Sequence, residues 1–211
     1  MEKYGFTDKV LDWFRSWING REQRLKFNDI TSAKKEIQIG LPQGTPLSCC
    51  LFNLYVNDVP NVLKYCQIKM FADDAMIHIA GKRENITDLI SKVNYDLHSI
   101  LNYLNMCKLK MNVEKTKYII IGKEEIVTDN EVIIGGTTIE KVETMKYLGV
   151  IIDNKLNFKE HFEYVNKKMA KKVYFLSRMR KKLDQETKKI IYKSLVVSQI
   201  DYCSSILFMS N

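Results

Sequence analysis

Apolar residues recur along this chain with two different periods, and each period predicts a different kind of element. Apolar positions at helical spacing predict helices over residues 7–18 and 85–107, and in the second helix they occupy one face. Alternating positions predict strands over residues 23–28 and 33–39, joined as a hairpin by an Asn-Asp turn. The chain therefore mixes helices and strands from its beginning.

Local capping signals define a helix in the next part of the chain. Thr45 can cap a helix over residues 46–58, and Pro46 suits the first helical position, where its missing N–H would have no partner. Residues 68–80 predict two short strands around a turn at the adjacent aspartates 73 and 74.

The second half of the chain changes from strands to helices. The pattern predicts a strand over residues 116–121, a hairpin across the glycine pair 135–136, and a strand over about 145–152. From Phe158 onward the pattern is helical, with a break between two helices near residues 183–184.

This order of elements predicts an α+β fold in two parts. Residues 1–153 are expected to form an antiparallel sheet with helices on one face. Residues 154–211 are expected to form a small helical lobe, and the boundary between the two parts is placed near Asn154.

The charge of the chain is concentrated in the predicted helical lobe. The whole chain has a net charge of +8, whereas residues 155–193 alone carry 13 Lys and Arg against 4 Asp and Glu, a net of +9. A local excess of this sign fits a polyanionic partner such as nucleic acid, and a solvated helical face is the equally simple alternative.

Composition excludes several classes of protein. No apolar stretch approaches the roughly 20 residues of a membrane span, and the polar start of the chain does not have the pattern of a signal peptide. The five cysteines show no CxxC spacing, which favours reduced thiols over disulfides or a zinc site. We therefore expect a cytoplasmic or nuclear protein without a membrane partner.

Asp73 and Asp74 are the strongest candidates for chemistry. They interrupt two apolar strands, and adjacent carboxylates in such a setting are costly unless water or a cation neutralises them. A hard cation such as Mg²⁺ binds carboxylate oxygens, so the pair is a candidate metal site. An Asp-Asp hairpin turn without function is the alternative.

A glycine-bounded loop, residues 40–48 (GLPQGTPLS), precedes one predicted helix. Such a loop presents backbone N–H groups at the positive end of the helix dipole, which favours anions. Gly44 permits close approach of a flat ligand, and Gln43 offers both a donor and an acceptor. Taken alone, the loop is better explained as a capped helix start than as a ligand site.

Five motifs together resemble the reverse transcriptase family, and within it the LINE-type (non-LTR), jockey-like retrotransposon enzymes. The motifs occur in the order and spacing of that family, and the resemblance covers most of the chain, being weakest before Gly20 and after about Phe162. They are GLPQGTPL (40–47), LFNLYVND (51–58), FADD (71–74), LKMNVEKTK (109–117) and KYLGV (146–150).

The resemblance implies a partial polymerase palm that catalyses two-metal nucleotidyl transfer, copying RNA into DNA. Asp73 would bind catalytic Mg²⁺ or Mn²⁺, with Asp74 beside it. Gln43 and Gly44 would contact the incoming dNTP and the template base, and Phe71 would lie against the primer end.

The same resemblance assigns roles in the second half of the chain. Lys115 or Lys117 would lie near the triphosphate and could protonate the leaving pyrophosphate; the sequence does not choose between them. The primer-grip hairpin would contain Tyr147, Leu148 and Gly149. The helices after Asn154 would be a thumb-like segment that contacts an RNA–DNA or DNA duplex. Its candidate contacts with the backbone are Lys167, Lys168, Lys171 and Lys172.

One carboxylate that the family uses has no counterpart in this chain. In the family an earlier strand supplies a further Asp, and this chain resembles the family only from just after that strand. We therefore expect weak metal binding and an inactive isolated chain, with the missing fingers and palm segment as a further partner. A non-catalytic, domesticated nucleic-acid-binding module is the alternative hypothesis.

Overall fold

The computed structural model describes residues 2–124 and 126–208, and for residues 3, 207 and 208 it describes the backbone alone. Contacts between residues divide the chain into two compact units. The first runs to Asn61 and also contains Ile68–Met76, and the second contains Val62–Gln67 and the chain from Ile77 onward. Runs of strands and runs of helices both occur along the chain, consistent with the α+β prediction.

Two helices flank a pair of strand ladders in the first unit. Helix α1 covers Asp8–Ile18 and helix α2 covers Pro46–Tyr55. The strands between them are β1 (Glu22–Gln23), β2 (Lys26–Phe27), β3 (Ile30–Thr31) and β4 (Lys35–Glu36). Strand β1 pairs with β4 and β2 with β3, both antiparallel, so the predicted hairpin around the Asn-Asp turn is confirmed.

The second unit contains the long helices. They are α3 (Ile86–Met106), α4 (Lys159–Met179), α5 (Gln185–Tyr192) and α6 (Ser198–Asp201), with a π-helical segment, Lys193–Val197, before α6. The predicted helix over residues 85–107 and the helical break near residues 183–184 are both confirmed. In the described part of the chain, no helix is long and apolar enough to cross a membrane.

The remaining strands are short. Strands β5 (Gln67–Phe71) and β6 (Asp74–His78) form a hairpin. The strands that follow α3 are β7 (Lys117–Tyr118), β8 (Ile133–Ile134), β9 (Thr137–Thr138), β10 (Glu140–Lys141), β11 (Thr144–Tyr147) and β12 (Val150–Asp153).

The core of the second unit forms where the apolar face of α3 packs against strand β8. Its buried members come from α3 and from residues around the β8–β9 hairpin, which has its predicted turn at the glycine pair 135–136. They are Ile90, Leu97, Val132, Ile134 and Ile139. The helical spacing of apolar residues in α3 therefore identified the face that is buried.

The antiparallel sheet that the sequence predicted is found among the described strands only as separate two-stranded ladders. Antiparallel pairing joins β1 with β4, β2 with β3, β8 with β9 and β11 with β12, whereas β7 pairs with β10 in parallel. Eight of the twelve described strands have two residues, and so short a strand offers few backbone groups for pairing with a second neighbour. The predicted strand over residues 116–121 is observed as β7, which pairs with β10.

The strand predicted over residues 145–152 is a hairpin. Strands β11 and β12 pair antiparallel from Thr144 with Asp153 to Tyr147 with Val150. Leu148 and Gly149 form the turn, and both have positive φ, 45° and 86°. Two residues of this conformation match the turn geometry that antiparallel strands favour, so the glycine ends the strand that apolar alternation alone would continue.

A buried carboxylate fixes the chain just before β5. Asp96, in the middle of α3, is fully buried. Its carboxylate accepts hydrogen bonds from the backbone N–H groups of Lys64 at 2.9 Å, Tyr65 at 2.9 Å and Cys66 at 2.6 Å. Burial alone would raise the pKa of Asp96, but these three backbone donors hold the pKa below its ordinary value.

A second buried carboxylate shapes the connection from β12 to α4. Asp153 accepts hydrogen bonds from the N–H groups of Lys155 at 3.0 Å, Asn157 at 3.1 Å and Phe158 at 2.6 Å. Burial opposes the charged form of Asp153, and the backbone donors again keep its pKa below the ordinary value. The segment before β5 and the connection from β12 to α4 are thus each organised by a buried carboxylate, which takes the place of water as the acceptor for backbone N–H groups.

Removing the charge of Asp96 should destabilise the chain. Asp96→Asn leaves an amide NH₂ facing backbone donors, so we expect the free energy of unfolding at pH 7 to fall by about 3 kcal/mol. Asp88→Asn in the same helix is the matched control. Its exposed carboxylate pairs with Lys92 at 2.7 Å, and we expect a loss below about 1 kcal/mol. Urea denaturation measures both.

The same pair of variants tests the pKa of Asp96. A carboxyl with a lowered folded pKa gives its full stabilisation above the ordinary pKa of about 4 and loses it as the pH falls toward the folded value. The unmutated chain should therefore lose stability more steeply below about pH 4 than Asp96→Asn does. Identical pH dependence of the two chains would contradict this assignment.

Candidate active site

The glycine-bounded loop leads into a capped helix, as the sequence predicted. The Thr45 hydroxyl accepts a hydrogen bond from the Ser48 N–H at 3.2 Å, and Pro46 occupies the first turn of α2. The Ser48 hydroxyl donates to the Pro42 carbonyl, which closes the loop over the start of the helix. Gln43 and Gly44 are left exposed at the outer side of this closure.

An arginine joins this loop to the end of α1. The Arg21 guanidinium donates to the Gly40 carbonyl at 2.5 Å and to the Ile18 carbonyl at 2.7 Å. Gly44 has a φ of +81° with open space around its Cα, so its conformation requires glycine and its surface can approach a flat ligand. The loop is therefore held at both ends while its tip is accessible.

The paired aspartates lie on the exposed β5–β6 hairpin, within the first unit. Ala72 and Asp73 form the turn, with Ala72 at a φ of 52°, and Asp74 is already the first residue of β6. The turn is thus one residue earlier than predicted, because Ala72 takes the left-handed position. Both carboxylates are exposed, and neither has an ion-pair partner among the described residues.

Phe71 precedes the turn and is 65% exposed. The described residues contain no cluster of three or more His, Cys, Asp or Glu that could hold a metal ion. The chemistry of Asp73 and Asp74 fits a hard divalent cation, since both offer unpaired carboxylate oxygens. Two carboxylates without a third provide only part of a binding site.

The two candidate lysines differ in their environment. The Lys117 ammonium pairs with the Glu140 carboxylate across the parallel β7–β10 pair. Lys115 ends a 3₁₀ turn that the Asn112 side chain caps through the Lys115 backbone N–H at 3.2 Å. The Lys115 side chain is exposed and has no acidic partner in the described part of the chain. The structure thus separates two lysines that the sequence left equivalent.

Uncompensated positive charge covers α4. Lys167, Lys168 and Lys171 are exposed and Lys172 is half-buried, and none of the four has an ion pair with a described residue. In the described part of α4, α5 and α6, the one ion pair is between Lys189 and Glu186 at 3.0 Å. The basic helical lobe that the sequence predicted is therefore a surface of largely unpaired cations.

One lysine of that surface forms a cluster with residues that sequence reasoning missed. The Lys168 ammonium lies 4.6 Å and the Lys146 ammonium 5.0 Å from the centre of the Tyr164 ring. Lys146 also donates to the Tyr164 hydroxyl at 3.1 Å. Hydrogen bonds from Lys168 and Lys146 lower the pKa of Tyr164. The spacing of four residues between Tyr164 and Lys168 on one helix was the available signal.

The histidine at the start of α4 has a structural role. His161 is buried, and its Nδ1 accepts a hydrogen bond from the Ile151 N–H at 3.3 Å. Burial, and then the charge of Lys168, lower its pKa, which fits a neutral ring that can accept this bond. Cys66 is also inert, because burial and then Asp96 raise the pKa of its thiol to about 12.

The sequence model of one family, described as "Reverse transcriptase (RNA-dependent DNA polymerase)", matches residues 1–152. The chain belongs to the reverse transcriptase family. The resemblance found in the five motifs is therefore confirmed. Members of this family normally use a divalent metal ion and a nucleic-acid template.

The relatives are enzymes of non-LTR retrotransposons. The chain is 25% identical over 196 residues to the probable RNA-directed DNA polymerase from transposon X-element of Drosophila melanogaster, covering 89% of this chain and 21% of the relative. It is 25% identical to the RNA-directed DNA polymerase from mobile element jockey of Drosophila funebris, covering 93% and 22%.

A third relative agrees with these two. The Pol polyprotein from type-1 retrotransposable element R1 of Bradysia coprophila, whose name calls it retrovirus-related, is 26% identical over 83% of this chain and 18% of the relative. The chain thus spans about a fifth of the length of the curated relatives it matches. No solved structure matches the chain significantly.

Proposed function

We propose that this chain contributes the metal-binding and primer-binding parts of an RNA-directed DNA polymerase. The observation that carries the proposal is the exposed FADD hairpin, on which Asp73 and Asp74 present carboxylates without ion-pair partners. The family membership of the chain gives this pair a specific chemistry, nucleotidyl transfer to a primer 3′ hydroxyl. Residues 1–153 would act as a partial palm and residues 154–211 as a thumb-like segment.

Asp73 would bind a divalent metal ion directly, with Asp74 beside it. A bound Mg²⁺ or Mn²⁺ supplies Lewis acidity for the primer hydroxyl and for the phosphates of the dNTP. Since no third carboxylate joins the pair within the described residues, we propose that this chain alone holds the ion weakly. The exposed position of both side chains keeps the pair solvated until an ion and a nucleotide arrive.

The tip of the loop before α2 would contact the nucleotide and the template base. Gln43 can donate and accept hydrogen bonds, and Gly44 leaves its backbone open to a flat base. The Thr45 cap and the Ser48 hydroxyl hold the loop in this shape without the ligand, so little ordering is left for binding. The exposed Phe71 ring would lie against the primer end.

Lys115 is the better candidate for the triphosphate. Its ammonium has no acidic partner among the described residues, whereas Lys117 would have to leave the Glu140 carboxylate before it could bind a phosphate. Breaking that pair would offset part of the gain from the new contact. Lys115 could also donate a proton to the leaving pyrophosphate.

The β11–β12 hairpin and α4 would hold the primer duplex. Tyr147, Leu148 and Gly149 form the turn region that corresponds to the primer grip, and Lys167, Lys168, Lys171 and Lys172 are candidate contacts with the backbone phosphates. Lys146 joins this set, because its ammonium, like that of Lys168, lies against the Tyr164 ring. Two cations beside one ring, with no ion pair to a described residue, favour an anionic ligand.

A ternary-complex assay tests the proposed function. With an RNA template, a DNA primer and millimolar Mn²⁺, the dNTP complementary to the next template base should slow dissociation of the duplex from the chain. A non-complementary dNTP should not, and Asp73→Asn should abolish the effect because the metal ion links the nucleotide to the protein. Asp88→Asn, an exposed aspartate of α3, is the control. Equal effects of both nucleotides, or an unaffected Asp73→Asn, would refute the proposal.

The two lysines provide a matched pair for the same assay. Lys115→Gln should raise the dNTP concentration needed for half-maximal stabilisation by about tenfold, the effect expected for losing one charge-assisted hydrogen bond. Lys117→Gln should change this dNTP concentration by less than about twofold, because the Lys117 ammonium is already paired with the Glu140 carboxylate. The reverse ranking would assign the triphosphate to Lys117.

A further inference from the structure

The turn between β11 and β12 is in contact with a tyrosine from the end of the helical segment. The Tyr202 hydroxyl donates a hydrogen bond to the Leu148 carbonyl, 54 residues earlier in the chain. The Tyr202 ring lies over Gly149, where an added Cβ would be 3.4 Å from the ring Cε1 atom and 3.6 Å from the hydroxyl. Both turn residues therefore contact one side chain.

The turn has a strained backbone that this contact can stabilise. Leu148 has a φ of 45°, a conformation that costs a residue with a side chain on the order of 1 kcal/mol. The last backbone pair of the ladder is Tyr147 with Val150, so the Leu148 carbonyl lies outside it. The Tyr202 hydroxyl satisfies that carbonyl and opposes a change of the turn to another conformation.

Tyr202 is itself held by helical structure. It follows α6 directly, and its backbone N–H donates to the Ser198 carbonyl at 3.3 Å. Helix α6 packs against α4 and against the π-helical segment that precedes it. The side chain thus connects the turn to the same helical lobe that carries the unpaired lysines of α4.

We propose that Tyr202 is a positioning residue that holds the Leu148–Gly149 turn in the conformation that receives the primer 3′ end. The inference rests on the proposed function, because it requires this turn to contact the primer. Tyr202 acts through the turn, since its hydroxyl is occupied by the Leu148 carbonyl. Leu148 and Gly149 are both exposed although Tyr202 contacts them, so the turn remains accessible to a nucleic-acid strand.

Tyr202→Phe removes the hydrogen bond and keeps the ring over Gly149. Fluorescence anisotropy with an RNA–DNA duplex that has a recessed primer 3′ end should show affinity reduced by about three- to tenfold, the loss expected for one hydrogen bond. Affinity for a blunt duplex of the same length, which engages the lysines but offers no recessed end, should change by less than about twofold. Hydrogen exchange should become faster at residues 148–150.

Tyr192→Phe is the matched control, because Tyr192 is a half-exposed tyrosine of α5 in the same lobe. Among the described residues, the hydrogen bond to Leu148 and the ring nearest Gly149 both come from Tyr202. Tyr192→Phe should leave both affinities and the exchange rates unchanged. Thermal melting of each variant confirms that it is folded. Tyr202→Leu removes the ring as well and should weaken binding of the recessed duplex further.

The outcomes separate the inference from the proposed function. If the unmutated chain shows no preference for the recessed duplex, the proposed role of the turn fails, and this inference fails with it. If the preference exists and Tyr202→Phe keeps it in full, only the inference is overturned. Equal losses on both duplexes, with a lower melting temperature, would show a purely structural role and would also overturn it.

Discussion

Repulsion between two adjacent carboxylates is the constraint on which the proposed chemistry depends. Asp73 and Asp74 cannot both be buried without a counter-charge, and the hairpin keeps them in water at its exposed turn. The left-handed Ala72 allows this turn directly after Phe71. Both carboxylates thus stay solvated, while the Thr45 cap and Arg21 fix the glycine-bounded loop of the same unit.

Aspartate has a different role where it is buried and backbone N–H groups replace water as its hydrogen-bond donors. Asp96 and Asp153 are buried, yet each accepts three backbone hydrogen bonds and remains charged. Asp96 fixes the chain that enters β5, and Asp153 fixes the chain that enters α4. The surroundings of each aspartate, and not the residue type, thus decide whether it stabilises a loop or is available to a ligand.

Local signals in the sequence predicted much of this arrangement, and distant contacts account for what it missed. The Thr45 cap, the apolar face of α3 and the break before α5 depend on neighbouring residues, and each was predicted. Asp96 binds backbone groups 30 to 32 residues away, and the pairing of Lys117 with Glu140 spans 23 residues. Periodicity carries no information about such partners, so the choice between Lys115 and Lys117 required the structure.

Nuclear magnetic resonance spectra of the ¹⁵N-labelled chain during a Mn²⁺ titration test whether Asp73 and Asp74 form a divalent metal site. Amide signals of residues 71–76 should broaden first, at millimolar Mn²⁺, and Asp73→Asn should remove this broadening. Broadening that begins at other acidic residues, or that persists unchanged in Asp73→Asn, would contradict this assignment.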